Sequence, residues 1–291
     1  MQLAPDLDDQ VAALKLARAH EHIDDLALKL RAYLASEPYR VVQEAVPGGF
    51  RLILQVTTQP PPALALMVGD ALHNLRSALD VRLVSLAEHL VGPLNEDQEK
   101  CLQLPDGATP QQLAKQTKSW GKQFTPEIVA SLRSAVAPLL GHDIDPLYWM
   151  GRHGGSSSDQ ERNTHEAVAA RLRRVNRLSN IDKHRRLHLP WLAPDSIYAF
   201  MREDKDVTWT VRTAPWSDGD EVARVVGDES HAGQSIQSAV ATLTVVLPEG
   251  DFGMGGSAAD ELENLAWFVE QALRIVDWGQ RRLDGEGPAG A

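Results

Sequence analysis

Gly69-Asp70-Ala71-Leu72-His73-Asn74-Leu75-Arg76-Ser77-Ala78-Leu79-Asp80 decides how the rest of the chain is read, because ionisable groups here interrupt leucines and alanines at helical spacing. Pro60-Pro61-Pro62 lies upstream and Gly92-Pro93 downstream. Proline pre-sets φ for a helix start and glycine followed by proline ends one, so one long helix is expected between them, with the motif near its middle. At about 100° per residue, Asp70, His73, Asn74, Ser77 and Asp80 fall on one broad side of that helix, with Arg76 at its edge.

A second polar segment, Asn180-Ile181-Asp182-Lys183-His184-Arg185, lies further along. It belongs to a helix expected from about Asp159 or Thr164 to Leu187, after a flexible loop over Gly151 to Ser158. Arg173, Arg177, Asn180, His184 and His188 form a basic stripe on it. If the two stripes face each other, carboxylates meet guanidinium and imidazolium groups, which is how buried charge is tolerated once its hydrogen bonds are completed. Two readings follow. In the first, the stripes are a structural network that holds two helices in place. In the second they form a site, in which a carboxylate orients His73 as general base and Arg177 or Lys183 stabilises a developing anion. The candidate site residues are His73, Arg76, Asp80, Arg177, Asn180, Asp182, Lys183 and His184, and no unambiguous nucleophile accompanies them.

The flanking sequence sets the fold class. Asp6 to about Ser36 reads as a long amphipathic helix, with Val11, Leu14, Ile23, Leu26, Leu30 and Leu34 near helical spacing, ending before Pro38. Tyr39 to Val56, rich in Val, Ile and Leu around Val46-Pro47-Gly48-Gly49, reads as a β-hairpin. Leu94 to about Phe124 is weakly patterned, and Thr125-Pro126-Glu127 opens a short helix to about Leu140. Beyond Pro190 the period changes to that of strands, at Ile197 to Arg202, Val207 to Thr213, Glu221 to Val226 and Ala239 to Leu247. Ser257 and Asp260 have capping-box spacing ahead of a last helix, whose face is Leu262, Leu265, Ala266, Val269, Ala272, Leu273 and Val276. The expected fold is α+β: long packed helices, a β-hairpin near the N-terminus and a small antiparallel sheet in the C-terminal third. One domain is expected over residues 1–283, followed by a disordered Gly-rich tail over 284–291.

Composition narrows the function classes. The chain has 291 residues, enough for a sizeable core, and its single cysteine, Cys101, excludes an internal disulfide and a multi-cysteine zinc site. The start, Met1-Gln2-Leu3-Ala4-Pro5-Asp6, lacks a signal-peptide profile and no segment reaches the roughly 20 apolar residues of a membrane span, so a cytoplasmic protein without a membrane partner is expected. A net charge of -11 disfavours a general nucleic-acid coat. Against that background Arg171, Arg173, Arg174, Arg177, Lys183, Arg185 and Arg186 make a local basic segment that could meet RNA. No His-Glu-x-x-His occurs, and His20, Glu21, His22, Asp24 and Asp25 read as the solvated side of the first helix, so neither a metal nor a cofactor is expected. Gly154-Gly155-Ser156 and Gly253-Met254-Gly255-Gly256-Ser257 lack the Lys-Ser/Thr ending of a phosphate-binding loop and read as linkers, and His231 stands alone.

Taken as Gly-Asp-x-Leu-His-Asn-Leu-Arg-Ser-Ala-Leu-Asp and Leu-Ser-Asn-Ile-Asp-Lys-His-Arg, the two motifs resemble those of a bacterial and phage family of hypothetical proteins. In many such sequences the first motif continues Asp-His, which places a His five positions after the Arg and resembles the signature of the HEPN superfamily of helical, often dimeric, RNA-cleaving domains. Val81 stands at that place in this chain. Arg177 to His184 and Arg82 to His89, each with six intervening residues, satisfy a looser form of the same signature. The residues thus support a non-enzymatic interaction module with a buried polar network between two helices. The alternative implied by the resemblance is a HEPN-like, metal-independent RNA-binding or RNA-cleaving protein of phage conflict, possible as a homodimer.

Overall fold

The computed structural model describes residues 7–47, 49–105, 110–137, 165–183, 191–201, 208–211, 216–226, 236–247 and 257–284. The helices are α1 (Leu7–Ala35), α2 (Pro62–Val91), α3 (Glu96–Cys101), α4 (Pro110–Gln116), α5 (Pro126–Val136), α6 (His165–Lys183) and α7 (Ala258–Leu283), with a 3-10 helix over Thr117–Lys122. The strands are β1 (Tyr39–Val46), β2 (Gly49–Val56), β3 (Trp191–Met201), β4 (Thr208–Val211), β5 (Glu221–Val226) and β6 (Ile236–Val246). This is the α+β class expected, with the N-terminal hairpin and the long helices in place. The expected loop at 151–158, the helix start at Asp159 or Thr164, the helix end at Leu140, residues 184–188, His231, the linker residues 253–256 and the tail from 285 lie outside the described residues.

The chain divides into two compact units, residues 1–21, 70–186 and 263–291 in one and 22–69 and 187–262 in the other. The second unit carries the strands. The two-residue connection after Val46 sets the hairpin in register from Tyr39 opposite Val56 to Val46 opposite Gly49. β5 then pairs antiparallel with β2, and β4 with β5, giving a four-stranded sheet in the order β1-β2-β5-β4. Gly49 is required at that junction, because a Cβ there would lie 1.9 Å from the Val225 carbonyl oxygen. The strands of the C-terminal third are therefore shared: β4 and β5 extend the N-terminal hairpin, whereas β3 pairs with β6 in a separate two-stranded sheet. Alternation alone identifies strands and does not say which edge a strand joins.

In α1 the buried face is Ala12, Ala19, Ile23, Leu26, Leu30 and Tyr33. Leu14, expected on that face, is 68% exposed: it lies nearly opposite Ala12 and Ala19, whose small side chains carry the packing. Helix α1 ends with Glu37 in the left-handed region at φ 51°, its N–H donating to the Leu34 carbonyl at 3.1 Å ahead of Pro38.

The first unit holds most of α2 and α7 together with α3 to α6. The stretch from Leu94 to Phe124, weakly patterned in sequence, contains α3, α4 and the 3-10 helix. Helix α3 opens on a reciprocal cap, Asn95 Oδ1 accepting from the Gln98 N–H and Gln98 Oε1 from the Asn95 N–H, each at 3.0 Å. Helix α7 carries the box expected from its spacing: Ser257 Oγ accepts from the Asp260 N–H at 3.2 Å, and Asp260 Oδ2 accepts from the Ser257 N–H at 2.8 Å. Its face is buried at Leu262, Leu265, Ala266, Val269, Ala272 and Val276, with Leu273 half-buried, and Gly279 brings it against α5, where a Cβ would sit 2.6 Å from the Ala135 carbonyl oxygen.

Candidate functional site

The α2 motif divides by which way each group faces. Leu72, Leu75, Ala78, Leu79 and Leu83 are buried on several sides of the helix, so only a narrow seam reaches solvent. Asp70 and His73 lie on that seam and are exposed, since a helix packed on most of its circumference leaves room for one polar row. His73 Nε2 is 3.5 Å from Ser77 Oγ, its own neighbour one turn on. Asn74 is buried and donates to the Asp70 carbonyl at 2.8 Å.

Arg76 turns inward. Its guanidinium meets Asp80 at 3.1 Å and donates from Nη2 to the Leu104 carbonyl at 3.0 Å. Asp80 Oδ1 accepts from the Leu104 N–H at 3.0 Å. The pair therefore completes both backbone groups of a buried residue in the segment after α3, a segment that has no strand or helix of its own to do so. The Glu88 carboxylate lies 3.4 Å from the Leu94 N–H beyond the end of α2.

Two turns on, the buried Arg82 joins α2 to α7 through an ion pair with the half-exposed Asp277. Nε donates to Asp277 at 2.6 Å, Nη2 to Gln280 at 2.6 Å and Nη1 to Ser85 at 3.0 Å. His89 lies 2.8 Å from Asp284. Both members of the loose Arg82-to-His89 signature thus have partners in the last helix and its end. The sequence reading did not single out Arg82 as structural; the signal was present in its position between Leu79 and Leu83, where a guanidinium must bring its own acceptors.

Of the α6 residues, Arg177 and Asn180 are exposed, Arg174 is buried, and Arg171 lies over the Phe268 ring of α7 at 5.8 Å. Asp182 and Lys183 are in the last turn of α6, and His184 with Arg185 and Arg186 lies outside the described residues. His20, read as part of a solvated face, is instead half-buried between two carboxylates of α7, Glu263 at 3.4 Å from Nδ1 and Glu270 at 3.2 Å from Nε2. Polarity alone suggested water; the acidic neighbours come from a helix some 240 residues away. Cys101 donates to the Gln98 carbonyl at 3.1 Å, and burial raises its thiol above the ordinary range.

Among the described residues no helix is long and apolar enough to cross a membrane, and no group of three or more His, Cys, Asp and Glu could hold a metal ion. No protein-family model, curated protein or solved structure matches the chain.

Proposed function

We propose that the chain is a non-enzymatic interaction module of the cytoplasm, in which the charged groups of α2 are structural and the sheet offers the surface for a partner. The observation that carries this reading is the engagement of Arg76 and Asp80 on one backbone unit, Leu104, together with the burial of Arg82 against Asp277 and Gln280. Groups held in this way have their hydrogen-bonding capacity directed at the protein itself, and His73, the candidate base, faces solvent with Ser77 Oγ 3.5 Å from its Nε2. The test is incubation of purified protein with single-stranded RNA of mixed sequence, with and without divalent metal. RNA that stays intact is the expected result.

The second reading is a HEPN-like protein that binds RNA or cleaves it without metal. The exposure of Arg177 and Asn180 on an arginine-rich helix favours it, because guanidinium groups at a surface can meet phosphate. Cleavage that persists in chelator and disappears in His184→Ala would replace the first reading with this one.

A further inference from the structure

β1 is the outer strand of the sheet β1-β2-β5-β4, and among the described residues nothing pairs with its free side. A two-residue turn closes on a hydrogen-bonded pair, here Val46 and Gly49, so the even-numbered residues of β1 bond to β2. Val41, Gln43 and Ala45 then turn their N–H and C=O groups away from the sheet. An open edge of this length is a template for another strand.

The charges on β1 select which strand. Arg40 and Glu44 share one face, two residues either side of Val42. We infer that the partner of this edge is β1 of a second copy of the chain, paired antiparallel about a two-fold axis at Val42. That register sets Val41 opposite Gln43 of the other copy as hydrogen-bonded pairs and Val42 opposite Val42. It also sets Arg40 opposite Glu44 twice. Parallel pairing in register would instead set Arg opposite Arg and Glu opposite Glu, which is unfavourable, so the pattern specifies the antiparallel dimer. The row is continuous with one inside each copy: Glu44 already accepts from Arg51 across the hairpin at 2.7 Å, and Arg40 donates from Nε to Gln55 at 2.8 Å, leaving its two terminal nitrogens for the carboxylate opposite. Two joined sheets become one of eight strands, with β1 no longer at an edge.

This dimer names a partner for the module reading and rests on it, but the two fail separately, since RNA cleavage removes the module and a missing dimer leaves the α2 chemistry untouched. The experiment uses the full chain with Cys101→Ser. Oxidation of Val42→Cys should give a covalent dimer, because facing residues of a non-hydrogen-bonded pair have Cα atoms about 4.5 Å apart. Gln43→Cys should not, its own copy lying on the diagonal at roughly 7–8 Å. Sedimentation of the reduced protein gives the second readout. Arg40→Glu, which removes only a surface bond to Gln55, should raise the dimer Kd about tenfold by turning two attractive pairs into repulsive ones. A monomer at all concentrations, a dimer indifferent to Arg40→Glu, or equal crosslinking through Gln43→Cys would each overturn the proposal.

Discussion

Arg76 and Asp80, one turn apart on α2, hold opposite ends of Leu104: the carboxylate accepts its N–H and the guanidinium donates to its carbonyl, both at 3.0 Å. An ion pair inside one helix thereby fixes a segment 24 or more residues away. Arg76→Ala leaves the Leu104 carbonyl without this donor and takes the guanidinium from Asp80, and it should cost about 3 kcal/mol, since the arginine is buried. Thermal melting measures this. Arg76→Lys should recover little, because one ammonium cannot serve the carboxylate and the carbonyl with the geometry of a fork. A melting temperature near that of the wild type would remove the structural role assigned to the motif.

The Arg82 cluster predicts an asymmetry. Arg82→Ala takes the donor from Asp277, Gln280 and Ser85 together, whereas Asp277→Ala leaves Arg82 with the other two. The arginine variant should lose about 2–3 kcal/mol and the aspartate variant about 1, Asp277 being the more exposed partner. In a double-mutant cycle by urea unfolding the coupling between them should be about 1 kcal/mol. Additive losses would mean that the 2.6 Å contact contributes nothing to stability.

Gly279 should resist the substitution that usually favours a helix. Alanine gains up to about 1 kcal/mol over glycine in a helix interior, but here its methyl would press on the Ala135 backbone, with contacts at 2.6 and 2.8 Å. Overpacking of this kind costs about 1–3 kcal/mol, so Gly279→Ala should lower the melting temperature. Gly121→Ala, with nothing within 4 Å of the added Cβ, is the control and should leave it near that of the wild type.

Tyr33 predicts an alkaline limit. Burial, with Tyr39 nearby, pushes its hydroxyl from the ordinary 10.0 up to about 12, and the hydroxyl donates to the Thr58 carbonyl at 2.9 Å. The unfolded chain releases this proton near pH 10 and the folded chain holds it to about 12. The contribution is therefore complete below pH 10 and is lost as the pH rises through that window. Denaturant unfolding at pH 9 to 12 should show a decline that Tyr33→Phe reduces, at a cost at neutral pH of about 1 kcal/mol for the lost hydrogen bond. An identical decline in the variant would place the alkaline sensitivity elsewhere.

What the sequence alone determined is what local chemistry controls. The proline and glycine flanks bounded α2, Ser257 and Asp260 marked the start of α7, and Val46-Pro47-Gly48-Gly49 set the hairpin, because φ preferences and caps act over a few residues. The candidate site was legible only in part: the motif announced polar groups in mid-helix, and nothing local distinguished the exposed His73 from the inward Arg76 three residues later. Tertiary structure decided that, together with the pairing of Arg82 with Asp277, the seating of His20 between Glu263 and Glu270, and the joining of β5 to β2. Each depends on an acceptor, a carboxylate or a strand edge supplied from far along the chain, and hydrophobic period carries no information about which distant element completes a hydrogen bond.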